Sequence, residues 1–180
     1  MKKNIVLFLS AMLTICSASA AKTVNIQQGV GSLISGIPDL KIDFKAAEKM
    51  SLGVIFTYDG IQKDISGFSI GGRLNYLLSR GSIFKNDGWY INPYTTYHNT
   101  KVTALKKINN FMEDIRFRQI EDYAEIGALF GYQWMWQGGF NIRFSIGPFY
   151  TTQARFINIK SGELLPKTSI NGELTIGYAF

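Results

Sequence analysis

The 180-residue chain has one cysteine, Cys16, and one histidine, His98. A lone histidine excludes a metal centre built on a histidine cluster, and a lone cysteine excludes an intrachain disulfide. No glycine-rich phosphate loop and no dinucleotide fingerprint occurs. After Ala20 no apolar run approaches the roughly eighteen residues that a membrane helix needs. Acidic residues are in deficit: 13 Asp and Glu against 19 Lys and Arg give a formal charge of +6. Aromatics, by contrast, are plentiful, with 13 Phe, 9 Tyr and 3 Trp, and 18 glycines are spread along the chain.

Residues 1–20 read as a removable secretory signal. Lys2 and Lys3 form a basic start, residues 5–15 are nearly all apolar, and Ala18-Ser19-Ala20 supplies a small-x-small cleavage site. A lipoprotein site at Cys16 is disfavoured because Ile15 stands where a small residue would be needed. The mature chain is therefore expected to be one domain, residues 21–180, beginning at Ala21. Loss of Lys2 and Lys3 takes its charge to +4, and loss of Cys16 leaves it without cysteine. An exported chain without disulfides must be held by packing or by a closed hydrogen-bond network. Export also makes nucleic acid an improbable partner for the basic surface; anionic lipopolysaccharide is the more natural one.

The organising stretch is 170–180. Ile170, Gly172, Leu174, Ile176, Tyr178 and Phe180 alternate with Asn171, Glu173, Thr175, Gly177 and Ala179. One face is apolar and ends in two aromatics; the other is polar or small. A period of two marks a strand with different surroundings on its two sides. The same rhythm recurs through 40–46, 52–58, 68–78, 89–97, 124–134 and 140–146, with a weaker version at 24–30. Turns are marked by Gly36-Ile37-Pro38, Asp59-Gly60, Asn86-Asp87-Gly88 and Gln137-Gly138-Gly139. Pro93 donates no ladder bond, so a distortion is expected there. The charged stretch 99–121 reads as a surface loop; Val102, Leu105, Ile108, Met112 and Ile115 leave a short helix or ribbon open within it. The first strand is the least secure, because Gly29 and Gly31 weaken its alternation.

Eight strands follow, one of them loosely patterned. Their connections alternate short and long, as an even-stranded membrane barrel with both termini on one side requires. The fold class is thus all-β: an eight-stranded antiparallel transmembrane β-barrel. A closed barrel also removes the free sheet edge that hydrocarbon does not tolerate.

In its segments 88–94 (GWYINPY), 126–134 (IGALFGYQW) and 176–180 (IGYAF), the chain resembles small eight-stranded Gram-negative outer-membrane barrels of the OmpA and OmpX type. The resemblance implies an outer-membrane location, no cofactor, and roles ranging from anchoring and adhesion to small-molecule passage and lipid A modification. It also implies that the assembly machinery reads the final strand. Outer-membrane lipids and lipopolysaccharide are the expected partners, and a monomer the expected state.

The inward face is expected to collect Lys41, Asp43, Lys45, Arg73, Glu125, Arg143 and Glu173. Charges in so narrow a lumen should pair, since an isolated buried charge is costly. The favoured reading is a structural polar plug in a non-enzymatic barrel with a structural or surface-interaction role; a narrow pore is the alternative. Aromatic belts are expected at the two interfaces: Tyr76, Trp89, Tyr132, Trp134, Phe140, Tyr178 and Phe180 at one, Tyr58, Phe68, Tyr97, Tyr123 and Tyr150 at the other. His98, Thr100 and Glu113 resemble the His-x-Ser and downstream Glu of lipid A deacylases, with Thr100 in place of the serine. No catalytic, metal or cofactor residue is assigned.

If 170–180 is an assembly signal, deleting Phe180, or changing both Tyr178 and Phe180 to Ala, will lower membrane insertion. Fractionation should find the variants in the periplasm; wild-type membrane levels of both would refute the signal.

Overall fold

Each strand in the computed structural model is hydrogen-bonded to two neighbours, and the eighth returns to the first. The structure describes residues 22–59, 65–106, 115–152 and 167–180, with 59, 65, 101–106 and 115–121 described as backbone only. The expected leader, residues 1–20, lies outside them. The strands are β1 (Val24–Gly29), β2 (Asp39–Ala47), β3 (Met50–Asp59), β4 (Ile65–Leu77), β5 (Gly88–Lys106), β6 (Ile115–Met135), β7 (Phe140–Thr151) and β8 (Thr168–Ala179). They form a closed antiparallel barrel in sequence order, with β8 pairing β1 from Asn25↔Ala179 to Gly29↔Thr175.

The weak first strand is real but short. After Gly29 the chain coils into a helix, α1 (Val30–Ser35), which ends at Gly36 in the left-handed conformation with φ 75°. Glycine adopts that conformation without a Cβ clash. A Cβ on Gly29 would strike the Asp39 carboxylate, so the glycine leaves room for that side chain.

Alternation is obeyed around the ring. Phe44, Leu52, Val54, Phe56, Ile70, Phe130, Phe144, Ile146 and Leu174 point outward and are exposed. Their neighbours Asp43, Ser51, Ser69, Arg73, Ser145 and Thr175 are buried inside. The barrel is therefore inverted relative to a soluble protein, with its apolar side facing out. At the termini end, Trp89 stacks on Phe130 at 5.0 Å, Tyr132 lies 5.0 Å from Trp134, and Tyr178 lies 5.0 Å from Phe180. Trp136, absent from the expected belt, joins it by packing on Phe140 at 5.2 Å.

Three expectations need correction. The stretch 99–121 is not simply a loop: β5 runs to Lys106 and β6 starts at Ile115, paired through to Lys106↔Ile115, so the ribbon alternative holds. Helix-like spacing of apolar residues there was outcompeted by strand pairing. Tyr123 does not join the outer belt; it shares the inward parity of Glu125 and stacks on His98 at 4.4 Å. The connection 79–88 is more than a turn, because Ile83 and Phe84, both 0% exposed, tuck under the barrel with Leu77, Met135 and Ala179.

Proline effects appear as expected at Pro93, and again at Pro148. Pairing of β4 with β5 lapses between Arg73↔Tyr94 and Tyr76↔Ile91, then resumes in the same register. On the β6–β7 side it lapses between Gly127↔Phe149 and Phe130↔Ile146. Each lapse sits where a proline lacks the N–H for the ladder.

At the termini end Gln133 Nε2 donates to the carbonyls of Ile83 (2.8 Å) and Asn86 (2.7 Å), fixing the tucked loop. Lys22 Nζ donates to the Gln137 carbonyl at 2.8 Å, and partial burial, then the charge of Lys85, hold its pKa below the ordinary lysine value. Removing the largest apolar element of this seal, by Phe84→Ala, should cost about 3–5 kcal/mol. Urea unfolding of refolded protein in lipid vesicles would measure it; an unchanged midpoint would mean that the loop does not pack there.

Candidate functional site

The interior has two parts. Below, toward the termini, buried polar side chains crowd it; above, toward the other end, lies a cavity of about 540 Å³.

β2 supplies an inward ladder of Asp39, Lys41 and Asp43, since every second residue of a strand faces one way. Asp43, 0% exposed, is the hub of the filled part. Arg73 Nε donates to its Oδ1 at 2.8 Å and Arg73 Nη2 to its Oδ2 at 3.0 Å. Arg143 Nη1 reaches Oδ2 at 3.2 Å, and Gln27 Nε2 donates to the same oxygen at 3.3 Å. Gln27 Oε1 in turn accepts from Arg73 Nη2 at 2.9 Å. The Arg143 guanidinium also lies over the Tyr90 ring, 5.4 Å from its centroid. Below this layer Asn92 Nδ2 donates to Asn75 Oδ1, and Asn75 Nδ2 to Ser51 Oγ, at 2.9 and 3.0 Å.

One level up, Lys41 Nζ lies 2.8 Å from both Asp39 and Glu173, and Arg73 Nη1 lies 3.7 Å from Glu173. Asp39, Asp43 and Glu173 thus meet Lys41, Arg73 and Arg143, a charge-balanced cluster. A charged cluster so deeply buried persists because its groups pair; Arg143 is the least satisfied member, its Nε and Nη2 having no hydrogen-bond partner among the described residues.

Higher still, Tyr94 reaches across the lumen from β5. Its hydroxyl donates to Glu125 Oε1 on β6 at 2.7 Å and accepts from Asn171 Nδ2 on β8 at 3.3 Å. Ile55, Leu129 and Phe149 pack around Tyr94. Gly127 permits this bar, because a Cβ there would meet the Tyr94 ring.

The structure joins Lys41, Asp43, Arg73, Arg143 and Glu173 as expected. Glu125 is set apart with Tyr94. Lys45 takes no part in the cluster; it borders a shallow depression at the termini end beside Glu48 and Lys85. Its place is taken by Asp39, which the expectation left out because the strand was begun one residue late. Asp39 has the parity of Lys41 and Asp43, so alternation carried the signal. The neutral members Gln27, Asn75 and Gln133 were also legible by parity, but no charge draws attention to them.

His98 faces the lumen, where its Nε2 shares a hydrogen bond of 2.9 Å with Thr96 Oγ1. Thr100 stands in β5 rather than in a loop and borders the same cavity. Glu113 lies outside the described residues. Among the described residues no group of three His, Cys, Asp or Glu could hold a metal ion.

The chain belongs to the family described as "Protein of unknown function (DUF3575)", whose model matches residues 5–178. No curated protein shows significant similarity to it. Among solved structures, the crystal structure of the N-terminal β-barrel domain of Pseudomonas aeruginosa OprF is similar, with a TM-score of 0.55 and 16% sequence identity. The match covers 88% of this chain and 98% of that one. At that identity the likeness concerns the fold.

Replacing Tyr94 by Phe removes both hydrogen bonds of the bar while keeping its ring. The expected cost is about 0.5–1.5 kcal/mol for each bond, read from denaturant midpoints in vesicles. A variant as stable as the parent would show that the bar contributes nothing to closure.

Proposed function

From the closed barrel and its apolar outer face, we propose that the protein is a non-enzymatic, non-conducting barrel of a Gram-negative outer membrane. It anchors itself by its apolar outer face and presents the β5–β6 ribbon and the cavity mouth to the exterior. The carrying observation is the filled lower lumen: Asp43, Arg73 and Arg143 are 0%, 5% and 2% exposed, and Phe84 beneath them is 0% exposed. An ion path would have to break these contacts.

In this orientation both termini, the tucked loop and the short β6–β7 turn lie in the periplasm. The aromatic belt at the termini end sits at the inner interface, where amphipathic rings are favoured. Lipopolysaccharide meets the basic surface, and the assembly machinery reads β8. The molecule acts as a monomer, its ring closed by its own β1–β8 pairing.

A hydrolytic role is not favoured by the geometry. His98 and Thr100 border the upper lumen, but the His98 ring is engaged by Thr96 and stacked on Tyr123. An acyl transfer needs a nucleophile and base jointly aimed at the substrate.

Purified protein in planar bilayers should show no steady conductance. A stable open channel in the unmodified protein would replace this reading by the narrow-pore alternative.

A further inference from the structure

The two sides of the β1–β8 seam differ in length. β8 begins at Thr168, but its pairing to β1 starts only at Gly29↔Thr175, because the chain leaves the sheet there to form α1. Among the described residues, 168–174 of β8 therefore have a strand neighbour on the β7 side alone. The unpaired edge is level with the apolar band of the wall: Leu174 lies opposite Phe144, Gly172 opposite Ile146 and Ile170 opposite Pro148. Backbone at that depth in hydrocarbon is tolerated only if protein covers it or it borders a polar cavity.

Such a cavity does reach it. The upper lumen is bordered by Asn171, Gly172 and Glu173 of β8, by Ser32 of α1, and by Asp39 and Lys41 of β2. Gly172 belongs to the outward set by parity, yet it borders the interior space. A Cβ built on Gly172, or on Gly31 of α1, would meet no atom within 4 Å. α1 and the unpaired part of β8 carry the two most exposed large apolar side chains of the described residues, Ile34 at 75% and Ile170 at 71%. Ser32 ties the helix to the barrel through Asp39 (3.3 Å), so α1 stands as a post beside the gap.

We propose that this gap is a lateral window, through which a membrane phospholipid places its polar head in the upper lumen while its acyl chain leaves between Ile34 and Ile170. The inference rests on the membrane-barrel reading above. Chemistry at the two sides matches the two halves of such a molecule. The cavity floor offers the Lys41–Glu173 pair and Asp39 to a zwitterionic head, and the flanks offer branched apolar side chains to a chain. A soluble polar ligand would have no use for the two isoleucines, and a purely apolar one would desolvate the paired charges without compensation.

The test uses single-cysteine proteins in a Cys16→Ser background, labelled with a small fluorophore. They are reconstituted in phosphatidylcholine vesicles whose acyl chains carry a spin-label quencher near the headgroup end. Labels at Ser32→Cys (cavity, beside the window), Ser69→Cys (cavity, opposite wall) and Phe144→Cys (outer face) are compared. The expected result is strong quenching at 144, clear quenching at 32 and little at 69. Adding Gly172→Trp, which fills open space, should abolish quenching at 32 and leave 144 unchanged. Quenching at 32 no stronger than at 69, or unaffected by Gly172→Trp, would overturn the window. A dimer in sedimentation that Gly172→Trp dissociates, with 32 unquenched, would overturn it too and assign the edge to a second copy. Failure of quenching at 144 would instead refute the membrane reading itself.

Discussion

One buried carboxylate holds the interior together. Asp43 sits between the guanidinium groups of Arg73 and Arg143, and the Gln27 amide closes the arrangement by bonding both Asp43 and Arg73. These residues come from β1, β2, β4 and β7, so a single acid ties together strands on several sides of the ring. A lumen this size must be filled by side chains, and filling it with charges works only when each is paired. Removing one member would strand the others, which makes the cluster a device for fixing register as well as for closing space. Gly53 shows the same constraint from the wall: a Cβ there would collide with the Asp43 carboxylate.

Around that hub the barrel solves a problem of two surroundings. Its outer face is apolar and its inner face polar, so the hydrophobic effect acts on the wall from outside while hydrogen bonds act from within. Backbone pairing around the closed ring satisfies the strands, and the exceptions are informative. Two lapses fall at Pro93 and Pro148, where no N–H exists to donate. A register shift between Lys45 and Ala47 marks the β2–β3 end. The departure where β1 gives way to α1 has no proline; Gly29 and Gly31 weaken the strand and the left-handed Gly36 turns the chain back toward β2.

Much of this was legible by parity alone. The alternation of 170–180, of 40–46, of 68–78 and of 140–146 identified the strands, their outward residues and five of the cluster's charges, because a period of two has one structural meaning over such lengths. What escaped had no such period. Ile83 and Phe84 are adjacent residues in a connection, so nothing in their spacing shows that they fold back beneath the barrel. The helix spacing of Val102, Leu105 and Ile108 competed with strand parity in 99–121, and only long-range pairing with the opposite half of the ribbon decides between them. Asp39 and Tyr123 had the right parity and were misassigned at element boundaries, where sequence patterns are least exact. The fold likeness to the OprF domain agrees with the architecture and leaves the biological role to the proposals above.

A double-mutant cycle between Asp43 and Arg143 tests the account most directly. Asp43→Asn, Arg143→Gln and the double variant would be unfolded by urea in lipid vesicles, and the coupling energy taken from the four stabilities. If the two side chains act as one buried pair, each single change should be strongly destabilising and the double change much less than their sum, with a coupling of about 1–3 kcal/mol. Additivity within about 0.5 kcal/mol would contradict the claim that the interior is organised around the Asp43 carboxylate.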